Sequence, residues 1–379
     1  MNIVNVMWAG GSAYASVHKV HQLILSQAEE NSSISTWLLQ GDGCCSSLGN
    51  VLEWNLSHRV LKGRHLWKLA QPLLRARMRA ALLDNDTQVL LLDGIGVARL
   101  MLPLLRTLPN ARATVLFHGS TKLRDSDVKL LRGIPPQHLQ LIAVSSTLAC
   151  ALQSALGRPV QALRIAMDPQ AFRANLQSVA QARQSIGLAS HAGRVLGAVG
   201  RLVESKGFDF LLDAFASACA REPDLNLVIL GEGELRPHLE ARIQSLGLSE
   251  RVLMPGHLKN LAQLYRAFDC LLVPSRSEGL GLVVQEAVLA DVPVLCSDLP
   301  VFREQLGDVA CYLPVGDVQA WSRAIGQCQK QALQTLAQAQ QGALAPAVSW
   351  EAFRRGTAGM LAGLDQPPSN ECSSSARGN

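Results

Sequence analysis

Pro274-Ser-Arg-Ser-Glu278-Gly-Leu-Gly281-Leu-Val-Val-Gln-Glu286-Ala287 links an apolar, strand-like run to a helix. In an open α/β sheet, ligands bind beyond the carboxyl ends of the strands, where loop glycines let the backbone come close. Gly279 and Gly281 can present N–H groups at a helix N-terminus, which suits phosphates and hydroxyls. Glu278 in the loop and Glu286 about two turns into the helix can accept hydrogen bonds from sugar hydroxyls at two points.

A second stretch, Gly200-Arg201-Leu-Val-Glu-Ser-Lys206-Gly207, also follows a strand-like run and precedes a helix. Arg201 and Lys206 can supply two fixed positive charges to a diphosphate, and such charges stabilise a departing diphosphate. Taken alone, each is typical of a helix-flanking residue, and Glu278 alone could cap a helix. Their occurrence together at one face of a predicted sheet favours a binding site.

The fold class follows from strand-like apolar runs that alternate with longer helical patterns. Most runs are continuously apolar, which is typical of parallel strands covered on both faces, and the alternation occurs twice. We therefore predict an α/β protein with two doubly wound parallel sheets. The predicted strands are Asn2–Trp8, Ile34–Leu39, Gln88–Asp93, Thr114–His118, Leu141–Ser145, Val195–Gly200, Leu225–Leu230, Val252–Pro255, Cys270–Pro274, Val292–Cys296 and Ala310–Pro314.

Composition narrows the class of protein. A hydrophobic fraction of 48% and a charged fraction of 17% suit a globular protein with a large core. No apolar run approaches the roughly 20 residues of a membrane span. The N-terminal segment Met1–Met7 is typical of a first strand rather than a signal peptide, so we expect a cytoplasmic protein. Residues 1–180 hold 18 Lys and Arg against 10 Asp and Glu, whereas residues 181–379 hold 17 against 20.

Nothing in the sequence predicts a metal site. The nine cysteines include no CxxC pair, so buried free thiols are expected rather than a zinc site or a disulfide framework. Two Asp-x-Asp patterns, Asp84-Asn-Asp86 and Asp125-Ser-Asp127, are interpreted as surface helix-end signals. We therefore expect no metal and no cofactor.

The second half resembles the family 4 glycosyltransferases, which are retaining enzymes with the GT-B fold. The resemblance is close over residues 195–330 and looser in the first half, where Gly10-Gly11, His118-Gly119 and Ser145-Ser146 match. The matching motifs of the second half are Gly200-Arg201, Lys206-Gly207, Leu230-Gly231-Glu-Gly233, Gly256-His257-Leu258, Pro274-Ser275, Glu278-Gly-Leu-Gly281, Glu286-Ala287, Pro293-Val294, Pro300-Val-Phe-Arg-Glu304 and Pro314-Val-Gly316-Asp317.

The resemblance implies two Rossmann-like domains that face each other across a cleft. It also implies a role for each matched residue. Arg201 and Lys206 would hold the donor diphosphate, Glu286 the ribose, and Glu278 the transferred sugar. The other implied donor contacts are Gly10, Gly11, Gly231, Gly233, Gly256, His257, Leu258, Gly279, Leu280, Gly281 and Leu282, with His118 beside the sugar.

Two positions depart from the family pattern. Asp291 stands where glycine is usual, at a helix-end turn where aspartate can adopt a left-handed conformation. Ile165-Ala166 replaces an interdomain Asn-Gly.

We predict a first domain over residues 1–168, a linker over 169–193, a nucleotide-sugar domain over 194–345, a helix crossing back to the first domain over 346–364, and a disordered tail over 365–379.

The acceptor prediction rests on an acid-free basic stretch, Trp54–Leu83. It is either a solvated helix face or a docking element for a membrane surface or an anionic acceptor. We favour a phosphorylated, lipid-linked saccharide such as a lipopolysaccharide core, with possible peripheral contact at the cytoplasmic membrane surface. The basic residues are not accompanied by a recognised nucleic-acid-binding motif, so a nucleic-acid partner is not expected.

The predicted function is a retaining, metal-independent transfer of a hexose or heptose from a nucleotide-diphosphate sugar to that acceptor. Two alternatives remain: a degenerate homologue acting as a partner subunit, and a glucan or exopolysaccharide transferase of the same fold. A dehydrogenase is disfavoured because no strand is followed by GxGxxG with an acid about 20 residues on. The residues do not indicate which nucleotide base is bound.

Overall fold

The computed structural model describes residues 1–10, 14–41, 48–62, 67–119, 121–188, 193–258, 260–309 and 312–363. The chain divides into two compact units. The first contains Met1–Ile165 and the chain from Glu351 onwards, and the second contains Ala166–Trp350. The division falls inside the Ile165-Ala166 pair that departs from the family pattern.

The first unit is built on a seven-stranded parallel sheet. Its strands are β1 Asn2–Ala9, β2 Ser33–Gln40, β3 Asn50–Glu53, β4 Val89–Asp93, β5 Arg112–Phe117, β6 Leu139–Ala143 and β7 Gln161–Ala162. They lie in the order β3-β2-β1-β4-β5-β6-β7. The helices between them are α1 Ala15–Leu25, α2 His58–Lys62, α3 Trp67–Asp84, α4 Gly94–Leu105, α5 Asp125–Arg132 and α6 Ser146–Leu156.

The second unit repeats the plan with six parallel strands. These are β8 Arg194–Val199, β9 Leu225–Leu230, β10 Val252–Gly256, β11 Cys270–Val273, β12 Val294–Ser297 and β13 Tyr312–Leu313, in the order β10-β9-β8-β11-β12-β13. Its helices are α7 Pro169–Ala174, α8 Val179–Ser185, α9 Phe208–Cys219, α10 Arg236–Ser245, α11 Leu282–Leu289, α12 Pro300–Leu306, α13 Val318–Gly326 and α14 Lys330–Leu344.

Two doubly wound parallel sheets are therefore confirmed, and each predicted strand has a counterpart. The sequence missed β3 and β7, which are short edge strands. All four residues of β3 are exposed, so no apolar run marks it. The central strands are buried on both faces, as their continuous apolar runs predict.

The stretch predicted as a linker forms α7 and α8, which belong to the second unit. Ala182 and Ile186 are buried in the core of that unit. The Arg183 guanidinium also donates to the Ala267 carbonyl and pairs with Asp269. Apolar burial and these polar contacts hold the segment against the domain, although its polar composition resembles that of a linker.

The last helix, α15, runs over Pro346–Ala362, inside the segment 346–364 for which a crossing helix is predicted. Proline suits the first turn of a helix because no backbone N–H is needed there. From Glu351 the helix belongs to the first unit, where the Arg112 guanidinium donates to the Leu361 carbonyl. The tail predicted as disordered, residues 365–379, lies outside the described residues.

Three local expectations can be compared with the structure. Asp291 has φ +63°, which confirms the left-handed turn. Asp127 accepts from the Arg124 N–H at 2.8 Å at the start of α5, which confirms the helix-end signal. It is nevertheless buried and forms a bidentate pair with Arg99 at 2.7 Å, so its interpretation as a surface residue was wrong. Cys219, Cys270, Cys296 and Cys328 are not disulfide-bonded, but Cys150 forms a disulfide, so a thiol was the wrong expectation at Cys150. No described helix has the length and hydropathy of a membrane span.

Candidate functional site

The second sheet reverses its strand order at β8, which lies between β9 and β11. From β8 the chain first builds outwards through β9 and β10, and then returns to the other side of β8 with β11. The loops after β8 and β11 therefore leave the sheet edge in opposite directions and open a crevice. Residues 200–207 and 274–281, the two predicted ligand-binding stretches, form these loops.

Backbone contacts join the two loops. The Arg276 N–H donates to the Ser205 carbonyl at 2.8 Å. Gly207 has φ +68°, and a Cβ at this position would overlap the Pro274 carbonyl oxygen. Both the left-handed conformation and the close approach require glycine at position 207. The two stretches therefore form one structural element, although their nearest residues, Gly207 and Pro274, are 67 positions apart in sequence.

Lys206 and Glu278 form an ion pair at this junction, through the ammonium and carboxylate Oε1. The Ser275 hydroxyl donates to the same oxygen at 2.8 Å. The two charged side chains are only 19% and 9% exposed, so little water screens the pair. Glu278 Oε2 has no hydrogen bond within the described part of the chain. The sequence assigned these residues to separate parts of a ligand and did not predict that they touch.

Arg201 lies five residues before Lys206 in the same loop and is exposed. Its guanidinium has no ion-pair partner among the described residues. It therefore remains available to an anion, whereas Lys206 is already shared with a carboxylate.

Glu286, on α11, is 8% exposed and accepts a hydrogen bond from the Tyr265 hydroxyl at 2.5 Å. Tyr265 is fully buried, and burial together with the Glu286 charge raises the pKa of its hydroxyl well above the usual value. The hydroxyl therefore stays protonated and keeps donating to the carboxylate. Sequence reasoning missed Tyr265, because a buried tyrosine in an irregular segment carries no motif.

The loop glycines allow close packing of the backbone. Gly281 has φ +75° and precedes α11, and a Cβ there would lie 2.5 Å from the Phe302 ring. A Cβ at Gly231 would overlap the Gly200 carbonyl, and one at Gly233 would overlap the Leu202 carbonyl. The loops after β8 and β9 consequently lie against each other.

The remaining predicted residues of the second unit differ in exposure. Gly279 is partly buried and Leu280 is buried, with its carbonyl accepting a hydrogen bond from the Gln305 amide. Gly256 has φ +89°, and its carbonyl accepts from the Gly231 N–H at 3.0 Å. His257 is exposed, while Leu258 and Leu282 are partly buried.

The first sheet has its own strand-order reversal, between β1 and β4. Gly10 follows β1, and its N–H donates to the Gln40 carbonyl at 2.9 Å. Gly11 lies outside the described residues. His118 follows β5, and its Nε2 lies 3.5 Å from Asp93 Oδ1 at the end of β4.

A second histidine, His21 on α1, completes this cluster. Its Nε2 lies 3.1 Å from His118 Nε2, and its Nδ1 lies 2.7 Å from Asn5 Oδ1. One ligand atom each from His21, Asp93 and His118 lie within 4.8 Å of one another, which is close enough to share a cation. The sequence prediction included His118 but missed His21, although this histidine lies on the helix that follows the Gly10-Gly11 pair.

Burial controls the charge of both imidazoles. It lowers the pKa of His21 well below the usual value, and the neighbouring His118 lowers it further. Burial also lowers the pKa of His118, against the opposing effect of the Asp93 carboxylate. Both rings are therefore neutral near pH 7.

Comparison with known proteins identifies the family. Residues 182–345 match the family model described as "Glycosyl transferases group 1". A phosphatidyl-myo-inositol mannosyltransferase of Mycobacterium leprae (strain TN) is 30% identical over 264 residues, which are 67% of each chain. The chain belongs to the group 1 glycosyltransferases. The family model covers both stretches that form the ion-paired junction.

Other group 1 relatives match over shorter segments. The lipopolysaccharide core mannosyltransferase LpsB of Rhizobium meliloti (strain 1021) is 32% identical over 130 residues, 33% of this chain and 36% of LpsB. For LpsB and two further relatives, the match spans less than half of the relative's length. Among solved structures, Anabaena HepE in complex with UDP and glucose has a TM-score of 0.76 and 19% identity, over 95% of this chain and 98% of HepE. This likeness shows the GT-B fold.

The neutral histidines predict a loss of stability in mild acid. Below about pH 6.5 an unfolded chain protonates its histidines, whereas folded His21 and His118 resist protonation. The unfolded state then binds more protons, so the free energy of unfolding falls as the pH drops below that value. Asp127 has a lowered pKa and contributes only at more acidic pH.

Urea midpoints measured between about pH 7.5 and pH 5.5 test this expectation. His21→Gln has no imidazole to protonate and should show a smaller fall than the wild type. His238→Gln, which removes an exposed histidine, is the matched control. Equal falls in the wild type and His21→Gln would contradict the prediction.

Proposed function

We propose that this protein transfers a hexose or heptose from a nucleotide-diphosphate sugar to a saccharide acceptor, with retention of anomeric configuration. The observation that carries the proposal is the Lys206–Glu278 pair at the strand-order reversal of the second sheet. It places an ammonium that suits a diphosphate beside a carboxylate that suits sugar hydroxyls.

The chemistry of the pair follows from its hydrogen-bonding capacity. An ammonium has three N–H donors, so Lys206 can contact Glu278 and still donate to phosphate oxygens. Arg201 adds a second, exposed cation in the same loop. Breaking the bond between sugar and diphosphate leaves negative charge on the diphosphate, and oriented cations lower the barrier to that step. An oxygen of the departing diphosphate can take the proton from the attacking hydroxyl of the acceptor saccharide, on the same face of the transferred sugar. The reaction therefore requires no protein base.

The rest of the donor binds around this pair in the proposal. Glu278 Oε2, which has no hydrogen bond among the described residues, accepts from a sugar hydroxyl, together with the N–H groups of Gly279–Leu282. Glu286 accepts from the ribose, because Tyr265 holds its carboxylate in place. Gly231, Gly233 and the Gly256–Leu258 segment frame the base. The nucleotide sugar is the only co-substrate, and no metal takes part.

HepE was crystallised with UDP and glucose, and LpsB is named as a lipopolysaccharide core mannosyltransferase. The HepE complex supports a nucleotide-sugar donor, and the likeness to LpsB supports an acceptor of the envelope-glycan class. The excess of positive charge in residues 1–180 supports an anionic acceptor. We therefore propose a phosphorylated, lipid-linked saccharide as the acceptor, and His118 as a substrate contact in the first unit.

A thermal-shift screen against UDP, GDP and ADP, with EDTA throughout, tests donor binding. A ligand at about 100 times its dissociation constant stabilises the folded state by roughly 2.7 kcal/mol. We expect one nucleotide to raise the melting temperature of the wild type and of the exposed-residue control Lys129→Ala, and to lose this effect in Lys206→Ala. If no nucleotide raises the melting temperature of the folded wild type, the alternative of a degenerate partner subunit would be favoured.

Transfer kinetics test the assigned roles. Arg201→Ala and Lys206→Ala each remove an oriented charge. The activation free energy should therefore rise by about 2–4 kcal/mol, so that kcat/KM falls roughly 30- to 1000-fold. Glu278→Gln should lower turnover while sparing nucleotide affinity. Arg242→Ala, which breaks an exposed pair with Asp213 elsewhere in the unit, is the control. Wild-type turnover in all three site variants would end the assignment.

Helix α3 supports a membrane-surface location for the acceptor. Met78 and Leu82 on one face of the helix are fully buried. The opposite face exposes Leu73 and Leu83, at 77% and 48%, together with Arg77. Arg79 is also exposed. An exposed apolar and basic face suits an interfacial helix that contacts anionic lipid headgroups.

Vesicle sedimentation tests this contact. We expect the full chain to bind phosphatidylcholine vesicles containing phosphatidylglycerol, and not vesicles of phosphatidylcholine alone. Each basic residue near an anionic surface contributes about 1 kcal/mol, so the double variant Arg77→Gln, Arg79→Gln should bind about 30-fold more weakly. The control pair Arg354→Gln, Arg355→Gln is exposed on α15. Equal weakening in both pairs would show only a net-charge effect and contradict a docking face.

A further inference from the structure

A chain of polar side chains crosses the first unit from β2 to His118. It consists of Thr36 on β2, Asn5 on β1, His21 on α1 and His118 after β5. Thr36, Asn5 and His21 are each 1% exposed, so water does not complete their hydrogen bonds. Buried polar groups need partners, and the proton positions along this chain are therefore interdependent.

The orientation of the Asn5 amide is set by Thr36. The Thr36 hydroxyl donates to the Leu48 carbonyl at 3.0 Å, so its oxygen is the acceptor for Asn5 Nδ2 at 3.4 Å. Asn5 Oδ1 then lies 2.7 Å from His21 Nδ1. A carbonyl oxygen cannot donate, so His21 Nδ1 carries a proton.

His21 sets the proton position on His118 in the same way. Burial keeps His21 neutral, so a ring with its proton on Nδ1 has a lone pair on Nε2. The nitrogen 3.1 Å away, His118 Nε2, must then be the donor. Asp93 Oδ1, 3.5 Å from His118 Nε2, favours the same proton, and the Trp8 N–H holds the other Asp93 oxygen at 3.1 Å.

We propose that His21 is a positioning residue, held by Asn5, that fixes His118 as the Nε2–H tautomer. His118 Nδ1 is then a hydrogen-bond acceptor, and it has no partner within the described residues. The His118 side chain is 16% exposed. A substrate hydroxyl that reaches it must donate to Nδ1. The tautomer is a property of the first unit alone, whereas its use in transfer rests on the proposed function.

The same three ligand atoms could instead bind a divalent metal. The hydrogen-bonded arrangement is favoured because one proton on each neutral ring satisfies every hydrogen bond in the series from Thr36 to His118. The three ligand groups also carry no charges of the same sign that a metal ion would offset. The Nε2–Nε2 separation of 3.1 Å is also an ordinary N–H···N hydrogen-bond length. Metal analysis of the purified protein separates the two arrangements.

The direct test is long-range ¹H–¹⁵N correlation spectroscopy of the full chain labelled at histidine, which shows which ring nitrogens are protonated. We expect His118 to be protonated at Nε2 and His21 at Nδ1, with peaks assigned through His118→Gln and His21→Leu. A His118 ring protonated at Nδ1 would overturn the proposal. A stoichiometric divalent metal in the wild type that is lost in His21→Leu and Asp93→Asn would overturn it in favour of a metal site.

Kinetics test the use of the tautomer. His21→Leu removes the acceptor for His118 Nε2–H, so kcat should fall about tenfold with little change in the donor KM. His21→Gln can accept through its amide oxygen and should recover most of that loss. Thr114→Val, a buried polar-to-apolar change on β5 of the same sheet, is the control for packing.

The outcomes separate the hydrogen-bond assignment of His21 and His118 from its proposed use in sugar transfer. Loss of activity in His21→Leu without recovery in His21→Gln, or an equal loss in Thr114→Val, would reduce His21 to a structural role and overturn positioning. An inactive wild type with the expected tautomer would preserve the hydrogen-bond assignment and remove the proposed function.

Discussion

Parallel strand pairing is the constraint on which the other features depend. In each unit all strands run the same way, so the loops that follow them leave from one edge of the sheet. The strand order reverses once in each sheet, next to β1 in the first and next to β8 in the second. Loops on either side of a reversal diverge, and polar side chains lie at or near these loops. They are Asp93 at the end of β4 and His118 after the neighbouring β5 in one unit, and Lys206 and Glu278 in the other.

In the second unit, the buried or largely buried charged groups of the candidate site each have a partner in the protein. Lys206 and Glu278 are largely buried, and each offsets the desolvation of the other. Tyr265 supplies a donor to the buried Glu286 carboxylate, and Ser275 supplies one to Glu278. Such partners hold the side chains in one orientation, which reduces the reorganisation that a ligand would have to drive. Arg201 differs because it is exposed and lacks an ion-pair partner in the described chain.

The two units use different means to orient a functional side chain. In the second unit, glycines at positions 207, 231 and 233 bring backbone loops into contact, and the charged groups are carried on those loops. In the first unit, a buried series of hydrogen bonds runs through β1 and α1 to a loop histidine. The family motifs concentrate in the second unit, where backbone geometry requires particular residues at particular positions. A hydrogen-bond series can be rebuilt from many residue types and leaves a weaker pattern.

The sequence by itself determined the two parallel sheets, nearly all strands, the left-handed turn at Asp291 and the two loops of the second unit, because hydrophobic periodicity and glycine requirements are local. It did not reveal β3 or β7, which lack an apolar run, or the packing of α7 and α8, whose polar composition hides a few buried residues. Only the tertiary structure brought Lys206 to Glu278, Tyr265 to Glu286 and His21 to His118. Each of these pairs joins residues at least 21 positions apart. Such contacts depend on how strands are ordered in a sheet, which no local pattern of residues specifies.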